Sequence, residues 1–374
     1  MSMDQPVSVR IGVDCRVLDD RYHGIGRATL GLLENLPEVP GRVLVLFMSR
    51  DQIVSRLDIS ALLGRGDIEV RDFSHGLSGV AQFFAWPGAL RRARIKSVLF
   101  PYHLGASVFG RPRRYAIIHD CILEQERRFA PSATTRLLYM FLTLVVVWRV
   151  KLFSPSRASA LAIERFYRRK ASGIEILSWA VGDLFFHTAD VPETIGPSSI
   201  PAKYLLHVGA RRPHKNVDFL LSVLSLLPEE VSLVLVGDAD PRWRDETDTI
   251  ASSLGVDHRV VALSAVTEAD LMGLYAGAHA YVYPSIVEGF GLPLLEAMAA
   301  GAPVIASRID VFEEVVGDAA ILLPLTDPAS WSEAILGLDE PGHRAKMIEV
   351  GRRRARATSW RDPAAHLMRI MTSD

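Results

Sequence analysis

The sequence predicts an α/β protein built from two doubly wound parallel-sheet domains. Three observations predict this. The chain has 374 residues, longer than one typical domain. Hydrophobic residues make up 49% and charged residues 23%, a globular balance that argues against disorder. Short apolar runs alternate with amphipathic stretches, and the alternation restarts near residue 200, as parallel sheets covered by helices require.

The elements follow in order. VRIGVD at Val9–Asp14 reads as a strand, Arg27–Leu36 as a helix, and Val43–Phe47 and Tyr115–His119 as further strands. In the second half, strands are expected at Tyr204–Val208, Val231–Val236, Arg259–Ala262, Ala280–Tyr283 and Pro303–Ala306. Helices are expected between them at Val217–Leu226, Arg244–Leu254, Glu268–Ala276 and Leu292–Ala300. Residues 186–201 hold three prolines and few large apolar residues, so they read as a linker. This places domains at 1–185 and 202–357, with a terminal helical segment at 358–374.

The net charge of −1 hides a division. Residues 1–180 carry 26 Lys and Arg against 16 Asp and Glu, a net of +10; the remainder carries 16 against 27, a net of −11. Such asymmetry points to two domains with different partners, and no nucleic-acid partner is expected of a near-neutral chain. Cys15 and Cys121 make no disulfide framework or zinc spacing, so a reducing compartment is expected. Met1 to Arg10 lacks an apolar signal core, and a cytoplasmic protein is expected. Leu137 to Trp148 (LLYMFLTLVVVW) is too short to span a bilayer. It reads as a buried helix running into a buried strand, with a membrane-surface helix as the alternative.

The most informative segment is PSIVEGFGLPLLEAMAAGAPVIAS, Pro284 to Ser307. A strand leads into glycines 289 and 291, and Pro293 sits in the first turn of the next helix. A glycine-rich loop opening on a helix N-terminus is an anion site. Glu288 and Glu296 flank it, and carboxylates accept hydrogen bonds from hydroxyls. A nucleotide sugar fits both: loop amides for diphosphate, carboxylates for sugar and ribose. VGARRPHKN at Val208–Asn216 clusters Arg211, Arg212 and Lys215 after a strand in an otherwise acidic domain. Cations there suit a diphosphate leaving group. Gly24-Ile25-Gly26-Arg27 reads as a loop between the first strand and helix, and His119-Asp120 as the exit from another strand. Asp238-Ala239-Asp240 has metal-binding spacing but reads as a solvated loop; no role is assigned to His75 or His103.

The combination resembles the retaining glycosyltransferases of family 4, which have the GT-B fold: two Rossmann-like domains facing a central cleft. Glu288 and Glu296 match the family's paired glutamates with seven residues between them. GIGR, IHD at 118–120, VG…KN at 208–216, LYAGAHAYVYPS, EEVVGDAA and a Trp-led last helix fall in family order. The resemblance implies that Glu288 contacts the donor sugar and Glu296 the ribose. Gly289, Phe290, Gly291 and Leu292 would line the donor site, and Lys215 with Arg211 or Arg212 would bind the diphosphate. His119 would contact the sugar near the reacting carbon, Gly24 and Gly26 would approach diphosphate and acceptor, and the last helix would cross back to the first domain. Ala210 stands where many members have arginine, VALSAV at 261–266 lacks a common glycine, and Arg308 replaces a small polar residue.

The resemblance further implies retention by front-face attack, with no cofactor and no metal required. The nearest pattern is that of bacterial mannosyltransferases using GDP-mannose to build surface polysaccharides on a glycan or polyprenyl-diphosphate-linked acceptor. Alternatives are a UDP-sugar-dependent glucosyl or N-acetylglucosaminyl transferase, a UDP-sugar epimerase of the same fold, or a non-catalytic subunit. The basic half is the one this fold uses for acceptors. Its clusters Arg91–Lys96, Arg111–Arg114 and Arg165–Lys170 suggest peripheral contact with the anionic cytoplasmic face of the inner membrane.

Overall fold

The computed structural model describes residues 9–19, 23–52, 57–77, 79, 81–187, 193–195, 198–264 and 266–373. Two compact units emerge: Met1–Cys121, Thr134–Trp179 and Ser359–Asp374 form one, and Ile122–Ala133 and Ala180–Thr358 the other. The stretch expected as a linker falls within the second unit; its residues 188–192 and 196–197 lie outside the described residues.

The described residues of the first unit contain seven strands: β1 Val9–Asp14, β2 Arg42–Met48, β3 Ile68–Asp72, β4 Ser97–Phe100, β5 Arg113–Ile117, β6 Lys151–Ser154 and β7 Glu175–Ile176. They pair in the order β3-β2-β1-β4-β5-β6-β7, every pair parallel. Parallel strands are covered on both faces, which is why β2 (RVLVLFM) is apolar nearly throughout instead of alternating. An aromatic core fills one side: Trp86 stacks on Phe73 at 3.9 Å and meets Phe47 and Phe100 edge-on at 5.2 Å.

Helix Arg361–Thr372 packs in this unit. The Ser97 hydroxyl donates to the Met371 carbonyl at 3.0 Å, and the Tyr115 phenol to that of Ile370 at 3.1 Å. Gly31 leaves room for Trp360, since a β-carbon there would lie 2.5 Å from the indole.

Two local readings change. The first helix runs His23–Glu34, so Gly24 and Gly26 lie in its first turn and not in a loop before it; residues 20–22, ahead of it, lie outside the described residues. Gly26 is needed because a β-carbon would sit 2.9 Å from the Val17 carbonyl oxygen, whereas Gly24 has open space around it. The run at 137–148 forms helix Ala133–Arg149, followed by β6. The helix is not a buried one: Leu137, Leu138, Phe141, Leu144 and Trp148 are exposed, and only Thr143, Val146 and Val147 are buried.

Besides a short antiparallel pair, Thr194–Ile195 with Ser198–Ser199, the second unit has a main sheet of six described strands, all parallel: β8 Tyr204–Val208, β9 Ser232–Val236, β10 Val260–Leu263, β11 Ala280–Tyr283, β12 Val304–Ser307 and β13 Ile321–Leu323. Their order is β10-β9-β8-β11-β12-β13. The chain winds outward one way from β8 and the other way from β11, so the order reverses between them. In such sheets the crevice outside the carboxyl ends at this reversal is where ligands bind. The loops leaving β8 and β11 are 209–216 and 284–291, the two segments singled out from the sequence.

Candidate active site

Loop and helix geometry in the second unit follows from its glycines. Gly291 caps helix Leu292–Ala300 with φ 99°, and a β-carbon there would press to 2.9 Å on both Leu294 and Phe312. Pro293 occupies the first turn, where its missing N–H costs nothing. The N–H groups of Gly291 and Leu292 make no hydrogen bond among the described residues. They stand at the positive end of the helix, where orphan donors and the aligned peptide dipoles attract an anion. Phe290 and Leu292 bury their side chains, so any contribution to a ligand comes from their backbone. On the neighbouring loop, Gly209 has φ 148°, a conformation that favours glycine, and the Lys215 side chain packs beside it.

Lys215 and Glu288 meet at the sheet's reversal point. Lys215 Nζ donates to Glu288 Oε1 at 2.6 Å and to the phenol oxygen of Tyr283 at 2.5 Å. The pair is nearly buried, with side chains 14% and 10% exposed. Burial alone would raise the Glu288 carboxyl. The Lys215 ammonium, through its charge and its hydrogen bond, outweighs it and holds the group below the usual carboxylate range. Glu288 is therefore an anion at neutral pH. Tyr283 moves the opposite way: burial and then the Glu288 charge push its phenol well up, so it stays a neutral hydrogen-bonding group.

Glu296 lies two turns further on, buried in the helix, and accepts a hydrogen bond from the Tyr275 hydroxyl at 3.1 Å. The arginines are each tied to a carboxylate. Arg211 Nε donates to Asp245 at 2.8 Å and its Nη1 to the Gly237 carbonyl at 2.8 Å. Arg212 Nε donates to Asp240 at 2.8 Å. Asp240 also takes two bonds from the Arg242 guanidinium, and these, with the Arg212 charge, hold it far below the usual range. The Asp238-x-Asp240 pattern thus spends its second carboxylate on arginines. Among the described residues no cluster of His, Cys, Asp and Glu has the arrangement to hold a metal ion.

In the first unit, His119 lies two residues beyond β5 and is buried. Its Nε2–H donates to the Pro101 carbonyl at 2.5 Å, which leaves Nδ1 as an acceptor, buried and without a partner among the described residues. Burial lowers its pKa to about 4 against the opposing pull of the carbonyl, so the ring is neutral at pH 7. Its own carbonyl accepts from Ser159 at 3.0 Å, and Trp179 lies against the ring at 5.1 Å. Gly24, Gly26 and His119 therefore belong to one unit, and Lys215, Arg211, Arg212 and residues 288–296 to the other.

Sequence reasoning missed Tyr283, His214 and His207. His214 is buried, its pKa lowered to about 3 by burial, and its carbonyl anchors the Ile286 amide at 2.8 Å, tying the two loops together. His207 on β8 donates from Nδ1 to the Val282 carbonyl at 3.1 Å; burial lowers it to about 4, and its Nε2 has no partner among the described residues. The signal for Tyr283 was present: Tyr281 and Tyr283 alternate on the strand that feeds the glycine-rich loop.

Residues 195–354 match the family described as "Glycosyl transferases group 1". These residues are similar to the group 1 glycosyl transferases. The group 1 segment covers all six strands of the second sheet and both loops of the candidate site. Among curated proteins, the chain is 36% identical to O-antigen chain mannosyltransferase B of Escherichia coli over 161 residues, 42% of each chain. It is 37% identical to O-antigen chain mannosyltransferase RfbU of Salmonella typhimurium over 138 residues, 37% of this chain and 38% of that one. The chain thus spans about two fifths of the length of the curated relatives it matches. Among solved structures, Anabaena HepE in complex with UDP and glucose superposes with a TM-score of 0.75 at 17% identity, covering 98% of this chain and all of that one. The two Rossmann-like units are those of the GT-B fold, and the protein resembles bacterial mannosyltransferases.

Proposed function

We propose that the protein is a retaining glycosyltransferase that moves mannose from GDP-mannose to a hydroxyl of a glycan or polyprenyl-diphosphate-linked acceptor in surface polysaccharide synthesis. It would work in the cytoplasm without a metal or other cofactor. The observation that carries this reading is the Lys215–Glu288 pair beside a helix N-terminus at the sheet's reversal point. A cation and orphan amides suit a diphosphate, and a buried carboxylate suits sugar hydroxyls. The mannosyltransferase relatives favour mannose as the sugar.

The chemistry follows from the charges. As the C1–oxygen bond of the donor breaks, its electron pair leaves with the nucleoside diphosphate, and negative charge grows on the leaving oxygen. Lys215 and the amides of Gly291 and Leu292 stabilise that charge, which does the electrostatic work a metal does elsewhere. Arg211 or Arg212 would join them by exchanging its carboxylate for the diphosphate. Glu288 holds the sugar hydroxyls and Glu296 the ribose. The acceptor oxygen attacks C1 on the face the diphosphate leaves, and its proton passes to the departing phosphate oxygen. No covalent glycosyl-enzyme is needed.

The test is release of nucleoside diphosphate from GDP-mannose, UDP-glucose and UDP-N-acetylglucosamine, with and without extracted polyprenyl-linked acceptors, and in the presence of a chelator. The expected result is acceptor-dependent, chelator-resistant release of GDP, with an α-linked product by NMR. A preference for UDP-glucose would move the reading to the glucosyl alternative, which the shared fold of HepE keeps open. Sugar interconversion without acceptor would make the protein an epimerase, and no turnover with any donor would remove both.

A further inference from the structure

Helix Ala133–Arg149 leaves an apolar stripe uncovered. Leu137, Phe141, Leu144 and Trp148 recur at helical spacing, with Leu138 beside them, and Leu137, Phe141 and Trp148 are 67%, 61% and 56% exposed. The stripe does not stand alone. Phe84, 78% exposed on helix Ala81–Arg92, and Phe109, on the loop before β5, join Phe141 and Val145 around an open groove of about 220 Å³. An apolar face extending over two helices and a loop is more than the scattered surface hydrophobics of ordinary proteins.

Charge identifies what covers it. The three segments that build this face, 81–92, 106–114 and 133–149, contain seven arginines and no Asp or Glu. Arg91, Arg92, Arg111 and Arg149 are exposed, and together with Arg114 they make no ion pair among the described residues. Arg91 continues the Phe84 face, seven residues on, and Arg149 follows Trp148 directly. Burial and the neighbouring Arg149 charge both lower Arg114, as expected of adjacent cations with no anion between them. No helix among the described residues is long and apolar enough to cross a membrane. A helix of this kind lies in the interface, with Phe, Leu and Trp among the acyl chains and arginines at the headgroups.

We propose that this face seats the first unit on an anionic lipid bilayer, through the Phe84, Phe109, Phe141 and Trp148 side chains inserted at the level of an arginine rim. The surface goes beyond the transfer reaction, and its test needs no donor or acceptor, so it can fail while the transfer reading stands, or the reverse.

The experiment is flotation of the full chain with phosphatidylglycerol-containing vesicles and with pure phosphatidylcholine vesicles, at low and high salt. The wild type should float with the anionic vesicles, with a blue shift of tryptophan emission, and should retain part of that binding at high salt. The triple variant Phe84→Ser, Phe141→Ser and Trp148→Ser should bind roughly tenfold or more weakly with an unchanged melting temperature, because all three side chains are exposed. Leu226→Ser, an exposed apolar position in the other unit, should change nothing. Binding that salt abolishes and the triple variant leaves intact would overturn the proposal in favour of the arginines alone. Failure to bind any vesicle, with a dimer that the triple variant dissociates, would overturn it in favour of a second copy of the chain.

Discussion

Substituting one member of the Lys215–Glu288 pair separates folding from function. At 2.6 Å two unit charges attract by about 6 kcal/mol at an effective dielectric of about 20. Much of that is offset by the cost of taking both out of water, so the pair is worth little net, but removing one partner strands the other. Lys215→Met should cost about 3–5 kcal/mol, because Glu288 then sits buried and uncompensated. For a unit of this size that is a fall of about 6–20 °C in its melting temperature. The stranded carboxyl should also titrate higher, since burial, which raises it, is no longer opposed by the ammonium. The double variant Lys215→Met, Glu288→Met leaves no buried charge and should recover most of the lost stability. Transfer should stay abolished in the single and double variants, because the diphosphate has lost its cation. Calorimetric melting and acceptor-dependent GDP release on the four proteins of the cycle provide the test. A double variant that regains transfer along with stability would refute the reasoning, since the pair would then be structural alone.

Other expectations follow from the same geometry. His103, His119, His207 and His214 have pKa values lowered by burial to about 3, 4, 4 and 3 from 6.5. The unfolded chain takes up these protons below pH 6.5 and the folded chain does not until about pH 4 for His119 and His207 and about pH 3 for His103 and His214. Stability is therefore full above pH 6.5 and falls on acidification, by about 1.4 kcal/mol per pH unit for each histidine within its window. Melting temperatures flat from pH 7 to 5 would contradict this. Gly291→Ala forces a β-carbon into Leu294 and Phe312 at a left-handed φ, and should cost about 1–3 kcal/mol and weaken GDP binding, read by melting and titration calorimetry. Gly26→Ala should destabilise the first unit, through the Val17 carbonyl, while Gly24→Ala should not; differential melting of the two variants checks the contrast.

The second unit was the more legible half, for a physical reason. Its strands Tyr204–Val208 and Ala280–Tyr283 and its helix Leu292–Ala300 begin and end where the sequence analysis placed them. Buried parallel strands are continuous apolar runs, and glycine and proline punctuate them. Glu288 and Lys215, eligible by residue type and loop position, do meet. The first unit was harder. β3 is an exposed edge strand, IEVRD, with no apolar run to announce it. β4 is four residues long. Gly24 and Gly26 sit inside a helix that propensity would start later; close packing on the Val17 carbonyl calls for glycine at Gly26, whereas Gly24 has open space around it. Helix Ala133–Arg149 shows the reverse failure: an apolar run reads as buried, whereas Leu137, Phe141, Leu144 and Trp148 face outward. Partner choice was also beyond the sequence. The tying of Arg211 to Asp245 and of Arg212 to Asp240 joins residues 34 and 28 positions apart, which no local pattern predicts.

Hydrogen exchange of the full chain with and without saturating GDP tests the central claim most directly. If Lys215, the loop at 288–291 and the helix start at Leu292 form the donor site, GDP should slow exchange in peptides covering 208–216 and 288–296. Binding that registers by calorimetry but leaves both segments unprotected would contradict the account.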